Sequence, residues 1–181
     1  MGAAKTTNLL AVANNYETRG RRVLVLQPGQ VKDATKIKSR LGIERKVDIV
    51  IQNMDGLTPF LYPQLSQYSC VLVDDAQFLD KHCIDILRLW SLTVPVICYG
   101  LRTDYRGHLF PGSHRLFEVA DSIEEIKTVC SKCSSKAVLH VRIDPQTKLK
   151  IIDGPSVPDT DKPDSIFMPV CFLHYDTWPH I

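Results

Sequence analysis

The fold is decided by the stretch Cys70-Val71-Leu72-Val73-Asp74-Asp75, in which four apolar residues are followed directly by two aspartates. A short apolar run of this kind is typical of a strand that is buried on both faces. A strand that ends in two carboxylates indicates a Walker B element, in which one carboxylate supports Mg²⁺ and the next acts on a nucleophile. The alternative is a turn that carries two solvated aspartates.

Further apolar runs on both sides of this stretch alternate with helical patterns. Strands are expected at 22–26, 47–51, 70–73 and 94–99, and helices at 5–20, 56–67 and 78–90. Residues 27–45 are expected to form a loop with some helix. The alternation predicts an α/β fold with a parallel sheet that helices cover on both faces.

The last part of the chain has a different composition. Residues 100–115 mix glycines, charges and aromatics, which is typical of a long functional loop. The alternating residues 138–143 are expected to form a β-hairpin with 149–152 across the turn at Pro145. Residues 153–169 contain four prolines and are expected to form a long loop.

The N-terminal stretch Gly2-Ala3-Ala4-Lys5-Thr6 directly precedes a helical pattern. In a phosphate-binding P-loop, backbone N–H groups cradle the phosphates, a lysine reaches their oxygens and a hydroxyl group binds Mg²⁺. Lys5 and Thr6 suit the last two roles, and a plain N-terminal helix is the alternative. A P-loop normally follows a strand that this chain lacks. We therefore expect that Met1 is not the native start and that strands 22–26 and 70–74 lack a neighbour.

The six cysteines do not form the pattern of a disulfide framework, which favours a reducing compartment. Cys130-x-x-Cys133 and Cys171-x-x-His174 are two pairs of soft ligands at the spacing of a tetrahedral zinc site. Four protein ligands leave no open position, so the predicted zinc is structural. Ordinary reduced cysteines are the alternative.

Composition excludes several classes of protein. The chain has 181 residues, of which 44% are hydrophobic and 23% charged, and this excludes a disordered chain. No apolar run reaches the roughly 18–20 residues of a membrane span, and the N-terminus lacks the pattern of a secretory signal. The net charge of +2 is too small to indicate a nucleic-acid partner.

The motifs together resemble the type II thymidine kinases, the cytosolic zinc-containing family, in its bacterial form. Residues 98–113, CYGLRTDYRGHLFPGS, carry the most specific similarity. Val73–Leu79 resembles the family's D-E-x-Q-F segment, and Glu125–Cys130 is similar to the approach to the first zinc pair. Cys171-x-x-His174 resembles the bacterial form of the second pair. The resemblance covers almost the whole chain.

The resemblance implies transfer of the γ-phosphoryl group of ATP to the 5′-hydroxyl of thymidine, with Mg²⁺ and a structural Zn²⁺. It implies a P-loop domain over 1–127, a zinc lobe with a nucleoside-covering loop over 128–181, and a cytoplasmic homotetramer without a membrane or nucleic-acid partner. Asp74 is implied to support Mg²⁺ and Asp75 to be the catalytic base. The implied nucleotide-site residues are Gly2, Ala3, Ala4, Lys5, Thr6, Thr7 and Asp74. The implied thymine-site residues are Phe78, Leu101, Tyr105, Phe110 and Phe167, and the implied metal ligands are Cys130, Cys133, Cys171 and His174.

Three departures from the family pattern leave alternatives open. Asp75 stands where the family has glutamate, and Ala4 stands where it has glycine. The arginine that the family brings to the phosphates has no match in 27–33, where only Lys32 offers a positive charge. A catalytically impaired relative that binds nucleotides or serves as a structural subunit is therefore the first alternative. A zinc-ribbon protein that binds nucleic acid is the second.

Overall fold

The computed structural model describes residues 3–31, 33–52, 62–156 and 165–179. They form two compact units. The sheet unit consists of the described residues of 4–100 and 111–123, and the C-terminal unit consists of residue 3, residues 101–110 and the described residues from 124 onward. The loop 101–110 therefore clusters with the C-terminal segment and not with the sheet. The boundary between residues 127 and 128 stays a prediction.

The sheet unit contains three helices and six strands within its described residues. They are α1 (Lys5–Glu17), β1 (Val23–Pro28), β2 (Lys36–Lys38), β3 (Glu44–Lys46), β4 (Ile49–Ile51), β5 (Cys70–Val73), α2 (Lys81–Trp90), β6 (Val96–Cys98) and α3 (Pro111–Val119). Four strands form a parallel sheet in the order β4-β1-β5-β6. Helices pack on both of its faces, so the predicted fold class is confirmed.

Alternation along the two central strands explains why both faces are covered. Cys70 and Leu72 of β5 pack in the cluster that contains α1, whereas Val71 and Val73 pack in the cluster that contains α2. The same alternation divides the apolar residues of β1 between the two clusters. Successive side chains of a strand point to opposite faces, so a fully apolar strand requires a partner on each side.

The two central strands do not lack a neighbour. β1 pairs with β4 and β5, and β5 pairs with β1 and β6. The expectation that 22–26 and 70–74 lose partners for their backbone donors was therefore wrong. The reason is that β1 and β5 lie side by side, and ladder bonds such as that from the Val71 N–H to the Pro95 carbonyl supply the partners.

Two segments that were expected to be loops contain strands or a helix in the structure. In 27–45, β2 and β3 form an antiparallel pair, so the expected helix is absent from its described residues. In 100–115, α3 begins at Pro111, a residue suited to the first turn because it lacks an N–H. Gly112 packs closely on the segment 76–79, because a Cβ there would overlap the carbonyl oxygen of Ala76.

The predicted helix 56–67 lies partly outside the described residues. Its described part, from Tyr62 to Gln67, forms a 3₁₀ helix. The predicted helix 78–90 begins later, since Ala76–Phe78 form a separate 3₁₀ turn and α2 starts at Lys81. Asp80 caps α2 by accepting a 2.7 Å hydrogen bond from the Cys83 N–H.

The C-terminal unit is built on an antiparallel pair, β7 (Leu139–Ile143) and β8 (Ile166–Val170), followed by α4 (Phe172–Asp176). The predicted pairing of 138–143 with 149–152 forms only in part. Ile143 bridges Lys150, and the Ile151 N–H donates a 2.8 Å bond to the Arg142 carbonyl, but 149–152 do not form a strand. The predicted loop 153–169 was wrong over β8, which pairs with β7 along its whole length. Over the described residues, no helix is both long and apolar enough to cross a membrane.

Candidate active site and metal site

The carboxyl end of β5 carries the two aspartates of the predicted Walker B element. Asp74 is almost fully buried, and its Oδ2 accepts a 2.9 Å hydrogen bond from the Thr6 hydroxyl in the first turn of α1. Its Oδ1 accepts a 3.1 Å bond from the Asp75 N–H. Ligands of parallel sheets bind at the carboxyl edge of the strands, and this edge is where Thr6 and Asp74 meet.

Asp75 lies beside the predicted lysine. Its Oδ1 is 3.9 Å from Lys5 Nζ and accepts a 3.2 Å hydrogen bond from Gln77 Nε2. The backbone of Asp75 is left-handed, with φ of 47°. Aspartate tolerates this conformation better than most residues, and strained backbone concentrates at functional sites.

Burial governs the charge of Asp74. Its removal from water raises the pKa of the Asp74 carboxyl, and the nearby charge of Asp75 raises it further. The Thr6 hydrogen bond and the Lys5 charge act in the opposite direction and are smaller. A cation placed between these carboxylates removes the penalty for ionising Asp74, so the pair suits a metal ion.

The rest of the predicted P-loop is described in part. Gly2 lies outside the described residues, and Ala3 precedes Ala4 without belonging to a helix or strand. Ala4 is the N-cap of α1, with φ of 52° and no side-chain cap. The N–H groups of the first turn, which includes Thr7, have no partner within the helix. The position of Ala4 is also one that glycine occupies at lower cost.

A cleft of about 340 Å³ opens beside the two aspartates. Thr6, Asp74 and Asp75 line it together with Val31, Asp33, Glu44 and all three residues of β2, Lys36, Ile37 and Lys38. Gln27, at the end of β1, also lines it, and its buried Oε1 has no hydrogen-bond partner. Gln27, Lys36 and Lys38 were not predicted from the sequence. A strand of three residues is too short for its alternation to have revealed the two lysines. Lys32 lies outside the described residues.

The four predicted metal ligands converge in the C-terminal unit. The ligand atoms of Cys130, Cys133, Cys171 and His174 all lie within 4.8 Å of one another. Cys133 Sγ is 3.9 Å from Cys171 Sγ, and His174 Nδ1 is 3.4 Å from Cys130 Sγ and 3.2 Å from Cys171 Sγ. Two sulfurs at about 2.3 Å from a tetrahedral zinc lie roughly 3.8 Å apart, so the cluster fits that ion. A disulfide, with sulfurs at about 2.05 Å, does not fit.

Backbone structure holds the two ligand pairs together. The N–H of Ser131 donates a 2.9 Å bond to the Pro169 carbonyl, which ties the first pair to β8. Cys171 is the N-cap of α4, and His174 follows one turn later. Burial raises the pKa of the Cys130 thiol, but hydrogen bonds from the backbone N–H groups of Cys171, Lys132 and Cys133 outweigh it and lower the pKa to about 6. Thiolates are the form that binds metal.

The loop 101–110 is organised by one buried carboxylate, Asp104. It accepts hydrogen bonds from the N–H groups of Arg106 and His108, from the Arg106 guanidinium and from the Ser156 hydroxyl, all between 2.9 and 3.0 Å. Although burial alone raises the pKa of Asp104, the bonds from Arg106 and Ser156 hold it below its usual value. Tyr105 Oη donates a 2.9 Å bond to the Gly154 carbonyl. The loop is therefore joined to residues 154–156.

The predicted thymine-site residues are divided between the two units. Phe78 ends the 3₁₀ turn of the sheet unit, and Leu101, Tyr105, Phe110 and Phe167 belong to the C-terminal unit. Within that unit, Tyr105 and Phe167 come together, with ring centroids 6.3 Å apart in an edge-to-face arrangement. Tyr105 and Phe110 are buried, while Leu101 and Phe167 are partly exposed.

The fold and the two clusters define a parallel α/β protein with a polar cleft at the edge of its sheet and a cluster of three cysteines and one histidine that fits a metal ion. A family model described as thymidine kinase matches residues 1–175. The thymidine kinase of Chromobacterium violaceum is 40% identical over 162 residues, which cover 87% of this chain and 84% of that protein. The thymidine kinase of Xanthomonas oryzae pv. oryzae is 41% identical over 169 residues, covering 87% and 77%. The thymidine kinase of Lactobacillus acidophilus is 34% identical over an alignment of 189 residues, which covers 97% of this chain and 92% of that protein.

The chain therefore belongs to the thymidine kinase family. This membership confirms the predicted family and the predicted class of enzyme, a phosphotransferase.

Proposed function

We propose that this chain transfers the γ-phosphoryl group of ATP to the 5′-hydroxyl of thymidine. Beyond family membership, the observation that carries the proposal is the assembly of four polar residues at one edge of the sheet: Lys5, Thr6, Asp74 and Asp75. Phosphoryl transfer requires positioning and charge stabilisation more than covalent chemistry, and these residue types supply both.

On the nucleotide side, Thr6 and Asp74 are proposed to hold Mg²⁺, with Asp74 acting through water. Mg²⁺ neutralises charge on the phosphate oxygens when it is bound. Lys5 is proposed to contact those oxygens, and the P-loop residues Gly2, Ala3, Ala4 and Thr7 to present backbone N–H groups to them. The 2.9 Å bond between Thr6 and Asp74 supports this division, because it brings both oxygen ligands to one point.

Asp75 is proposed to be the general base that accepts the proton of the thymidine 5′-hydroxyl. Its Oδ1 lies 3.9 Å from Lys5 Nζ, so the carboxylate stands beside the lysine that is proposed to contact the phosphates. The side chain is one methylene shorter than the family's glutamate. A general base must approach the hydroxyl to about 2.6–3.2 Å. The substrate must therefore sit closer to β5 than a glutamate requires.

On the nucleoside side, the thymine base is proposed to contact Leu101, Tyr105, Phe110 and Phe167 of the C-terminal unit, and the role of Phe78 stays a prediction from the sequence. The edge-to-face pair of Tyr105 and Phe167 supports an aromatic site within the C-terminal unit. The hydrogen bond from Tyr105 to Gly154 supports a role for the following residues as a covering loop.

The metal site is proposed to be structural zinc. Cys130, Cys133, Cys171 and His174 would fill all four positions and so leave none for a substrate. The enzyme is further proposed to work in the cytoplasm as a homotetramer, and to supply thymidine monophosphate for DNA synthesis. In the described part of the chain, no observation favours an impaired relative or a nucleic-acid-binding protein over the kinase.

The test is a coupled assay of ADP release with ATP, Mg²⁺ and a series of nucleosides, with the phosphorylated product identified by mass. We expect thymidine to exceed deoxyuridine by about 10- to 200-fold in kcat/KM, which is the usual value of one carbon in an apolar pocket. Deoxyadenosine should be excluded by its size. Equal turnover of deoxyadenosine would overturn the substrate assignment, and absence of ADP release with every nucleoside would overturn the activity.

A further inference from the structure

The strand β2 presents two lysines on the same side. In the sequence Lys36-Ile37-Lys38, the middle side chain is 1% exposed and packs in the cluster with α1, whereas both lysines are exposed. Side chains alternate along a strand, so burial of Ile37 turns both lysines away from the core. Both lysines line the cleft of about 340 Å³, and the buried Ile37 between them lines it as well.

The charges of these lysines are only weakly compensated. Lys36 Nζ lies 3.8 Å from Glu44 Oε1, and the exposed fractions of the two side chains are 49% and 51%. An ion pair so exposed contributes little and is easily exchanged for another partner. Lys38 forms no ion pair with any residue in the described ranges. Both ammonium groups are therefore available to an anion in the cleft.

A second observation indicates that the cleft is a ligand site. Gln27 is 4% exposed and lines the cleft, and its Oε1 is buried without a hydrogen-bond partner. Buried polar atoms are nearly always paired, because an unpaired one costs about 1–3 kcal/mol. The cleft is thus incomplete without a ligand that can donate a hydrogen bond, such as a water bound to a metal ion.

We infer that Lys36 and Lys38 bind the terminal phosphates of the nucleotide in the cleft that they line together with Asp74 and Asp75. The inference rests on the proposed kinase function. It assigns a role to β2 that the P-loop and Walker B motifs do not contain. Because lysine is a compact cation on a flexible stem, it can follow a phosphate group whose position changes during transfer.

The charges in the cleft explain why the lysines are needed. Carboxylates attract a cation but repel phosphate, so a cleft that contained Asp74 and Asp75 without a cationic side chain would oppose nucleotide binding. Two lysines in the same cleft offset this repulsion. Charge-assisted bonds to phosphate are among the stronger polar contacts in proteins.

The experiment is calorimetric titration of the full-length chain with AMP-PNP, a non-hydrolysable ATP analogue, in the presence of MgCl₂. The double variant K36Q/K38Q removes both charges, and K36R/K38R keeps them. The matched control is Lys46→Gln, which removes the same charge from the same hairpin at a position paired with Lys36 but outside the cleft. Thymidine turnover by the wild type is measured in parallel.

We expect K36Q/K38Q to weaken AMP-PNP binding by roughly 10- to 100-fold, the value of one or two hydrogen bonds to charged groups. Lys46→Gln should bind within about twofold of the wild type, and K36R/K38R within a few-fold. Equal affinity of K36Q/K38Q and the wild type would overturn this inference while wild-type turnover leaves the kinase function intact. Equal losses in Lys46→Gln and K36Q/K38Q would overturn it too, because they would show a general effect of charge. A wild type that neither binds AMP-PNP nor phosphorylates thymidine would overturn the proposed function and the inference with it.

Discussion

The hydroxyl of Thr6 donates a 2.9 Å hydrogen bond to Oδ2 of Asp74, which joins the start of α1 to the end of β5 across 68 residues of sequence. The bond fixes the distance between the two motifs that the proposed function requires to act together. It also places a hydroxyl and a carboxylate oxygen together, and oxygen ligands are those that Mg²⁺ prefers.

The first prediction concerns the cost of burying Asp74. The pKa of Asp74 is higher in the folded protein than in the unfolded chain, where it is about 3.8. Protonated Asp74 therefore contributes fully to stability below pH 3.8, and this contribution is lost as pH rises through the pKa of the folded protein. In the absence of divalent cations, Asp74→Asn should therefore gain stability relative to the wild type as pH rises above about 4. Urea unfolding over a pH series measures the difference.

The control for this experiment is Asp121→Asn, which changes an exposed carboxylate paired with Arg88. It should show no comparable gain with pH. Addition of Mg²⁺ with nucleotide should then favour the wild type, with affinity in Asp74→Asn lower by roughly tenfold or more. A constant difference between Asp74→Asn and the wild type at all pH values would contradict this account of Asp74.

A second prediction follows from the left-handed backbone of Ala4. A non-glycine residue in this region costs roughly 1 kcal/mol, so Ala4→Gly should stabilise the protein by up to about that amount. Ala11→Gly, at an exposed position inside α1, is the matched control and should destabilise by about 0.5–1 kcal/mol. Thermal unfolding compares the two, and the same sign for both changes would refute the explanation.

The third prediction concerns the metal site. Purified protein should contain about one zinc per chain, and Cys133→Ser should lose it and loosen the link between β8 and the first ligand pair. Cys98→Ser is the control, because this cysteine lies in β6 and burial raises its thiol pKa to about 12. Metal analysis by mass spectrometry decides the matter. Zinc retained by Cys133→Ser, or absent from the wild type, would exclude the assigned ligands.

The fourth prediction concerns Asp104 as the organiser of the loop 101–110. The pKa of Asp104 is lower in the folded protein than in the unfolded chain, where it is about 3.8. Asp104 therefore contributes its full share of the stability above pH 3.8, and this share is lost as pH falls through the pKa of the folded protein. At neutral pH, Asp104→Asn should cost roughly 1–3 kcal/mol, and Ser156→Ala, which removes one donor, should cost less. Amide hydrogen exchange at Arg106 and His108 measures the loosening directly, and unchanged exchange in Asp104→Asn would count against this role.

The sequence predicted those parts of the fold whose signals are local. The apolar runs of β1 and β5 are long enough to require cover on both faces, so the parallel sheet followed. β8 was missed because a proline at 169 and the preceding acidic, proline-rich segment resemble a loop. Proline is tolerated there because β8 pairs only with β7 among the described strands. β2 and β3 have three residues each, too few for periodicity to reveal.

Some residues of the candidate site could likewise be predicted from the sequence, and others could not. Lys5, Thr6, Asp74 and Asp75 belong to motifs with fixed spacing, and two contacts join them in the structure. Gln27, Lys36 and Lys38 belong to no motif. Gln27 is placed at the cleft by β1, and the two lysines are placed there by the hairpin of β2 and β3. Such residues depend on tertiary structure, which one sequence does not reveal.

A further prediction concerns the length of the Asp75 side chain. If one missing methylene limits the rate, Asp75→Glu should raise kcat. Because glutamate tolerates a φ of 47° less well than aspartate, the same change should cost roughly 1 kcal/mol of stability. Single-turnover kinetics together with urea unfolding separate the two effects, and a lower kcat in Asp75→Glu would show that the site is built around aspartate.

The central claim is that Asp75 removes the proton from the thymidine 5′-hydroxyl, and the initial rate of thymidine monophosphate formation in Asp75→Asn tests it most directly. At saturating ATP, Mg²⁺ and thymidine, we predict a rate about 10²–10⁴-fold below that of the wild type, the usual contribution of a general base. Thymidine affinity should stay within a few-fold, because the lost interaction belongs to the transition state. A rate in Asp75→Asn equal to that of an active wild type would contradict the account.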